Sequence, residues 1–336
     1  PAMSNERLPV IVVGFGWWGR HIASRLKDHP DFELRGVVEP ASEAHDDVRA
    51  MGLPPLPDLD AALADDAARA IILTSPNDQH DTHVAACAAA GKHVFCEKPL
   101  SLTAEGARGS VAACREAGVV LGVGHERRFE TAIQRLRRML DADELGKIMH
   151  AELSFSHNKL KDLPPTSWRT SKTHAPAAGM TQMGIHLTDL LIWFFGKVSR
   201  VHAITADRSL GWETGDMVTV HLAFEKGMTA SIQAILNTPH NLRTAIFGSD
   251  MWVEIRNATH PDTPGGLCTM ERYRSIDDTV TEEFDWTDSV TANLEAFREA
   301  ILGGTPYPYS DFELTHNIEV LEAIITSAEE GRAVTL

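Results

Sequence analysis

A glycine-rich turn near the start of the chain constrains the fold more than any other feature. Residues Val10–Gly19 read V-I-V-V-G-F-G-W-W-G, an apolar strand that runs into the spacing G-x-G-x-x-G and then into a helix. Gly14 is expected to make the tight turn, Gly16 to let a pyrophosphate approach the backbone, and Gly19 to let the helix pack closely on the strand. The helix N-terminus would face the phosphates, because its unpaired amides attract anions.

An acidic residue stands where a dinucleotide site needs one. Glu39 ends the second apolar run, twenty residues past Gly19. Its carboxylate can accept hydrogen bonds from the adenosine ribose hydroxyls and would repel a 2′-phosphate. No Arg or Lys follows at once, so the sequence favours NAD over NADP. The turn residues predicted to border the cofactor with the glycines are Phe15, Trp17 and Trp18. The alternatives are a glycine turn without a nucleotide and a solvated strand end at Glu39.

Short apolar runs alternate with amphipathic segments over the first third of the chain. The predicted strands are Leu8–Val13, Leu34–Val38, Ala70–Thr74, His93–Cys96 and Val119–Val123, and the predicted helices lie at about 22–28, 43–51, 59–66, 81–90 and 104–117. Such alternation is typical of a parallel sheet covered by helices on both faces. Residues 6–125 are therefore predicted to form a doubly wound α/β domain of the Rossmann type, which binds a dinucleotide.

The pattern changes in the rest of the chain, where strands dominate. They are predicted at 148–156, 200–204, 217–224, 228–236, 243–247 and 251–255, with helices at 132–140, 180–195, 290–302 and 312–330. This arrangement indicates an α+β domain over residues 126–336 with a large, mostly antiparallel open sheet. Helices are expected to cover one face, and the other is free to pair with a second subunit in a homodimer or homotetramer. The final helix can pack back on the first domain.

Composition excludes several classes of partner. The chain has 336 residues, and 31 Lys and Arg against 47 Asp and Glu give a formal charge of −16, which repels nucleic acid and anionic membranes. The four cysteines are scattered, as expected in a reducing compartment. The longest apolar run, Leu190–Phe195, is too short to span a bilayer, and Pro1–Pro9 has no signal-peptide core. A cytoplasmic protein with a small-molecule substrate is predicted.

Polar residues follow two of the predicted strands at the edge where open parallel sheets hold ligands. The first group is Ser75, Asn77 and His80, all predicted to contact the cofactor, although Asn77 could equally be only a helix cap. The second is Glu97-Lys98-Pro99, where Glu97 and Lys98 would lie at the cofactor rim and Pro99 could follow a cis peptide. An ammonium at Lys98 could stabilise a developing alkoxide. On spacing alone, a surface Glu-Lys pair is the stronger interpretation.

Five motifs in order decide between these interpretations. They are the glycine turn, residues 76–80 (P-N-D-Q-H), 91–99 (G-K-H-V-F-C-E-K-P), 123–129 (V-G-H-E-R-R-F) and 184–189 (G-I-H-L-T-D). With them the chain resembles the Gfo/Idh/MocA oxidoreductases over essentially its whole length, and Glu-Lys-Pro is the most specific motif. The resemblance implies a Rossmann domain, a C-terminal domain with an open sheet used in oligomerisation, a nicotinamide cofactor, and Lys98 beside nicotinamide and substrate.

The predicted helix at 180–195 carries the candidate general base. Gln182, His186 and Asp189 can share one face because they are spaced by four and three residues. His186 could accept an alcohol proton near neutral pH, and Asp189 could orient its ring. The alternative is a buried helix in which His186 is merely hydrogen-bonded; the resemblance favours catalysis.

The family commonly has Asp at the position of Gln182. Because an amide does not titrate, a mechanism based on an Asp–His pair cannot be carried over to this chain. Then His186 and Lys98 must suffice, the substrate must differ, or the chain is not a competent dehydrogenase.

Other residues are predicted to bind substrate with Lys98, Gln182 and His186. They are His125, Arg127, Trp168 and Arg169. A solvated basic edge and a buried tryptophan are the alternatives. Sixteen histidines are present, but no spacing typical of a metal site occurs, so no metal is expected.

These features together predict an NAD-dependent dehydrogenase of a secondary alcohol in a sugar, inositol or related cyclic polyol. A dehydrogenase of an aromatic-ring dihydrodiol and a catalytically silent nucleotide sensor are the alternatives.

Overall fold

A computed structural model describes residues 6–336 of the chain. These residues divide into two compact units. The first contains residues 6–124 together with Val290–Thr315, and the second contains His125–Ser289 together with His316–Leu336.

The first unit is built on a parallel six-stranded sheet with the order β3-β2-β1-β4-β5-β6. Its strands are β1 Leu8–Val13, β2 Phe32–Val38, β3 Pro55–Leu56, β4 Ala70–Leu73, β5 His93–Cys96 and β6 Leu121–Val123. The helices between them are α1 Trp17–Leu26, α2 His45–Ala50, α3 Leu59–Leu63, α4 His80–Ala89 and α5 Ala104–Ala117. The strand order reverses between β1 and β4, which is the position where such sheets bind ligands. The predicted Rossmann topology is confirmed.

The second unit contains a nine-stranded sheet with the order β14-β13-β12-β11-β7-β10-β9-β8-β15. The strands are β7 Ile148–Ser156, β8 Val198–Ala206, β9 Met217–Phe224, β10 Thr229–Ile235, β11 Asn241–Gly248, β12 Trp252–Asn257, β13 Cys268–Ser275, β14 Asp278–Phe284 and β15 Val334–Thr335. Every neighbouring pair is antiparallel except β7 and β10. The predicted large, mostly antiparallel sheet is confirmed.

Four further helices lie in the rest of the chain: α6 Thr131–Asp141, α7 Ile185–Phe195, α8 Ser289–Ile301 and α9 Asp311–Glu330. The helix predicted from residue 180 begins instead with a π-helical turn over Met180–Gly184. All of α7 except Trp193 is buried, in keeping with its apolar sequence.

The helix α8 groups with the first unit rather than with the second. The sequence interpretation placed all of residues 126–336 in one domain, and the structure differs over residues 290–315. The physical reason is the apolar face of α8: Val290, Leu294 and Phe297 are buried in the core cluster of the parallel sheet. The Phe297 ring meets Phe95 of β5 edge to face, with centroids 5.6 Å apart.

The buried helix α7 is short, and the longer helices carry charge. Within residues 6–336, no helix has both the length and the apolar character that crossing a bilayer requires.

Candidate active site

Each of the three glycines in the turn between β1 and α1 fits its position for a different structural reason. Gly14 adopts a left-handed φ of 98°, and a Cβ on Gly19 would lie 2.1 Å from the carbonyl oxygen of Gly14. Both positions are therefore required by the backbone itself. A Cβ on Gly16 would meet no atom within 4 Å. The backbone at Gly16 is open, as a site for a pyrophosphate needs.

The carboxylate of Glu39 is tied to this turn. Its Oε2 accepts a hydrogen bond from the backbone amide of Phe15 at 3.0 Å, and its Oε1 accepts one from Ala41 at 2.9 Å. An ionised carboxylate has about four acceptor positions, so Glu39 retains capacity for ribose hydroxyls. The turn residue Trp17 is exposed, with its ring 5.4 Å from that of Trp18. The open backbone at Gly16 and the acceptor oxygens of Glu39 therefore fit a dinucleotide.

His80 links the two polar groups at the sheet edge. Its Nε2 lies 2.9 Å from the carbonyl oxygen of Ser75, and its Nδ1 lies 2.6 Å from that of Pro99. Burial lowers the pKa of His80. Asn77 is also buried in this turn. Because its two nitrogens face these backbone carbonyls, the His80 ring ties the segment after β4 to the segment after β5. A contact between His80 and the cofactor stays a prediction.

Glu97 and Lys98 occupy different environments at the end of β5. Lys98 is half-buried, whereas Glu97 is buried and its Oε2 accepts a long hydrogen bond of 3.3 Å from the Lys98 amide. Burial raises the pKa of Glu97 to about 7. A Cβ on Gly124 would lie 2.4 Å from Oε2 of Glu97, so this glycine makes room for the carboxyl group. The Lys98–Pro99 peptide is cis, as the sequence suggested.

His186 lies in the first turn of α7 and is buried. Its Nδ1 is 3.5 Å from Nδ1 of His125 and 3.8 Å from Oε2 of Glu126. The structure thus brings His125 to His186, as the prediction of a shared site requires. Sequence reasoning missed Glu126, although it follows His125 directly in the V-G-H-E motif.

The other acidic candidate, Asp189, has a different partner. Its carboxylate accepts two hydrogen bonds from Arg128, at 2.8 Å from Nε and 2.7 Å from Nη2. Both carboxylate oxygens of Asp189 thus face the buried arginine, which needs a counterion because an unpaired charge in this interior would be costly. A role of Asp189 in orienting His186 stays a prediction.

Gln182 lies in the π turn and is held by the loop that precedes it. Its amide nitrogen donates to the carbonyl oxygen of Arg169 at 2.9 Å. The Arg169 guanidinium carbon lies 4.2 Å from the centroid of the Trp168 ring, and burial lowers the pKa of Arg169. The three predicted substrate residues therefore lie together.

Two alanines in the same loop have backbone conformations that are rare outside glycine. Ala177 and Ala178 have φ values of 57° and 50°. The Ala178 amide donates to both the carbonyl and the hydroxyl oxygen of Thr214, at 3.1 and 3.0 Å, which holds this conformation. Non-glycine residues that are held in this left-handed region cluster at functional sites.

Arg127 is buried, which excludes a solvated basic edge. Its Nε donates to Oε1 of Glu130 at 2.8 Å, and its guanidinium carbon lies 5.8 Å from the centroid of Phe155. Over residues 6–336, no group of three His, Cys, Asp or Glu side chains is arranged to hold a metal ion.

Two family models match the chain. The oxidoreductase family with an NAD-binding Rossmann fold covers residues 8–125, and the GFO/IDH/MocA C-terminal domain covers residues 133–254. The chain belongs to the Gfo/Idh/MocA oxidoreductases. Its membership makes it an NAD(P)-dependent oxidoreductase and agrees with the resemblance seen in its motifs.

Individual relatives in this family are named dehydrogenases. The D-xylose 1-dehydrogenase (NADP(+)) 2 of Haloferax volcanii is 30% identical over 82% of this chain and 83% of its own length. The scyllo-inositol 2-dehydrogenase (NAD(+)) of Bacillus subtilis is 25% identical over 82% of this chain and 79% of its own. The Gfo/Idh/MocA family thus includes relatives that are named for each of the two nicotinamide nucleotides.

Solved structures share the whole fold. GenD2 from gentamicin A biosynthesis, solved in complex with NAD, superposes with a TM-score of 0.84 at 27% identity, over 98% of this chain and 97% of its own. The aldose-aldose oxidoreductase of Caulobacter crescentus, complexed with glycerol, gives a TM-score of 0.86 at 23% identity, over 98% and 100%.

Proposed function

We propose that this protein is an NAD-dependent dehydrogenase of a secondary alcohol, or of the corresponding ketone, in a sugar, inositol or related cyclic polyol. The observation that carries the proposal is the buried His186, whose Nδ1 faces His125 and the carboxylate of Glu126. A histidine placed beside a carboxylate can take up a proton from an alcohol. The names of the xylose and inositol relatives support the substrate class.

The glycine turn and Glu39 fit the cofactor that this reaction needs. The open backbone at Gly16 would hold the pyrophosphate, and the Glu39 carboxylate would bind the ribose hydroxyls. Bound NAD⁺ would supply the hydride acceptor. We propose NAD rather than NADP because a 2′-phosphate would meet the negative charge of Glu39.

The chain's own residues handle the substrate oxygen and its proton. Lys98 donates a hydrogen bond from Nζ to the oxygen and stabilises the negative charge that develops there. His186 accepts the hydroxyl proton at Nε2, since its Nδ1 lies on the side of Glu126.

Glu126 supplies the carboxylate beside His186 that an aspartate at position 182 would supply. Gln182 cannot titrate and donates its amide to the Arg169 carbonyl. Glu126, 3.8 Å from His186 Nδ1, supplies a negative charge that stabilises the protonated imidazole. A dehydrogenase mechanism is thereby compatible with glutamine at position 182.

The test is reduction of NAD⁺ and NADP⁺ across inositols, aldoses, sugar acids and cyclic dihydrodiols by the wild type and two variants. Lys98→Met and His186→Ala should each lower kcat about 10²–10⁴-fold while NADH affinity stays nearly constant. Lys197→Met removes an exposed ammonium paired with Glu225 and serves as the control. Wild-type turnover in either variant would sink the assigned role.

We also propose a homodimer or homotetramer formed through the large sheet. A continuous row of rings crosses one face from β9 to β13: His221, His150, Phe247, Trp252 and Tyr273, with successive centroids 6.1, 6.5, 6.4 and 5.2 Å apart. These side chains are exposed or half-buried in the single chain. Trp252→Glu should yield monomers in light scattering, whereas Ile276→Glu, in an exposed turn, should not. A monomeric wild type would refute the proposal.

We place the enzyme in the cytoplasm. All four cysteines are free and buried, as a reducing compartment allows. Fractionation of cells that express the protein would test this location.

A further inference from the structure

Polar side chains lie near the Phe155 ring in the second unit. The Phe155 ring lies 5.3 Å from the ring of His260, 6.2 Å from that of His186 and 5.8 Å from the guanidinium carbon of Arg127. The polar members also contact one another, from Arg127 through Glu130 to Asn257, His240 and His260. We call these five polar residues the Phe155 cluster.

Hydrogen bonds join most of the cluster. Glu130 accepts from Nε of Arg127 at 2.8 Å and from the amide nitrogen of Asn257 at 3.1 Å. Nε2 of His240 donates to the backbone carbonyl oxygen of Asn257 at 3.1 Å, and the rings of His240 and His260 are 6.4 Å apart. Since hydrogen bonds join Arg127, Glu130, Asn257 and His240, these four residues have defined relative positions.

Three buried polar atoms of this cluster have no hydrogen-bond partner anywhere in residues 6–336. They are Nη1 of Arg127, Oδ1 of Asn257 and Nδ1 of His240. A buried polar atom without a partner is costly, so three in one cluster indicate that something else binds there.

The other hydrogen bonds of these side chains determine whether each of the three atoms donates or accepts. The amide nitrogen of Asn257 must face the Glu130 carboxylate, which can only accept, so Oδ1 is left as an acceptor. His240 donates through Nε2, so its imidazole Nδ1 is also an acceptor. Arg127 Nη1 is a donor. An occupant must therefore both donate and accept hydrogen bonds.

We propose that the Phe155 cluster is a subsite for an uncharged, hydroxyl-bearing part of the substrate, and that it selects neutral sugars and polyols against sugar acids. Hydroxyl groups accept from Arg127 and donate to Asn257 and His240. A carboxylate only accepts, so it would leave two acceptors without partners. It would also meet Glu130, which already neutralises Arg127. The inference rests on the proposed function, and His186 contacts the same phenylalanine ring, so one sugar can reach both.

The first experiment compares pyranoses that differ only in CH2OH against carboxylate: D-glucose with D-glucuronate, and D-galactose with D-galacturonate. The neutral member should have a kcat/KM on the order of 100-fold higher, and the best substrate of the wider panel should be uncharged. A carboxylate-bearing best substrate would overturn the inference.

If no alcohol is oxidised, the proposed function fails. Calorimetric titration of the NADH-bound protein with the same sugars then tests separately whether the cluster binds neutral sugars. Neutral sugars binding more tightly would support it; equal binding, tighter acids or no binding would overturn it.

The second experiment changes the selectivity. Glu130→Gln leaves the Arg127 charge without its partner and should shift the acid-to-neutral ratio of kcat/KM, or of affinity, towards the acid by on the order of tenfold. Glu254→Gln is the matched control, since Glu254 also pairs with arginine in this unit. Asn257→Ser keeps the Arg127–Glu130 pair and should raise KM for neutral substrates about tenfold with little change in kcat. Unchanged KM in Asn257→Ser and an unchanged ratio in a folded Glu130→Gln would mean that the cluster holds only water.

Discussion

Asp189 and Arg128 form a buried, two-pronged ion pair, with Nε and Nη2 of the arginine 2.8 and 2.7 Å from the two carboxylate oxygens. The pair joins the middle of α7 to the 3₁₀ turn Glu126–Phe129. It therefore holds His186 and Glu126, one on each segment, in a defined relation.

Loss of this pair should lower the free energy of unfolding. Asp189→Asn leaves the Arg128 charge buried without its counterion, and we expect the free energy of unfolding to fall by about 3–5 kcal/mol. Asp141→Asn breaks an exposed pair with Arg137 and should cost under about 1 kcal/mol. Urea denaturation of both variants gives the comparison. Equal losses would contradict the importance of burial.

Glu97 should make stability depend on pH near neutrality. Burial raises its pKa from the usual 4.5 to about 7, so the folded state holds a proton that the unfolded state releases. The contribution of Glu97 is therefore fully present below about pH 4.5 and is lost as the pH rises to about 7, a change of about 3 kcal/mol.

Glu97→Gln removes the titrating group and should abolish this part of the pH dependence. Denaturation of the cofactor-free protein between pH 5 and 8 measures it, with Glu225→Gln as an exposed control. If Glu97→Gln and the wild type lose stability in parallel over this range, the carboxyl group is not buried as described.

Substitutions at two glycines of the turn should affect stability and cofactor binding separately. Gly19→Ala places a methyl group 2.1 Å from a backbone oxygen, so we expect a loss of stability of several kcal/mol. Gly16→Ala meets no atom and should leave stability within about 1 kcal/mol while weakening NADH binding on the order of tenfold. Thermal melts and fluorescence titration of NADH distinguish the two effects. A stable Gly19→Ala protein would refute the packing argument.

Glu39 should set the choice of cofactor. Glu39→Gln removes the negative charge but keeps one acceptor for the amides of Phe15 and Ala41. We expect the ratio of kcat/KM for NAD⁺ over NADP⁺ to fall about tenfold, because the repulsion of a 2′-phosphate disappears. The ratio measured with one common substrate tests this. A wild type that prefers NADP⁺ would refute the assignment before any substitution.

Where local patterns are strong, sequence and structure agree closely. The predicted β1, β5 and α5 have the observed bounds, because continuous apolar runs and a glycine after α5 mark them clearly. The hairpin of β13 and β14 was missed, since its residues are largely polar and exposed and show no apolar alternation. The π turn before α7 has no sequence period of its own.

The sequence alone determined the Rossmann topology, the family and the identity of Lys98 and His186 as candidates. These depend on local features: glycines that permit close approach, apolar periodicity, and short motifs at strand ends. Only the tertiary structure decided which charges meet. Arg128 binds Asp189 across 61 positions, Glu126 therefore faces His186, and Asn257 reaches Glu130 across 127 positions. Such pairings depend on the distances between segments far apart in the chain, and spacing along the sequence does not contain those distances.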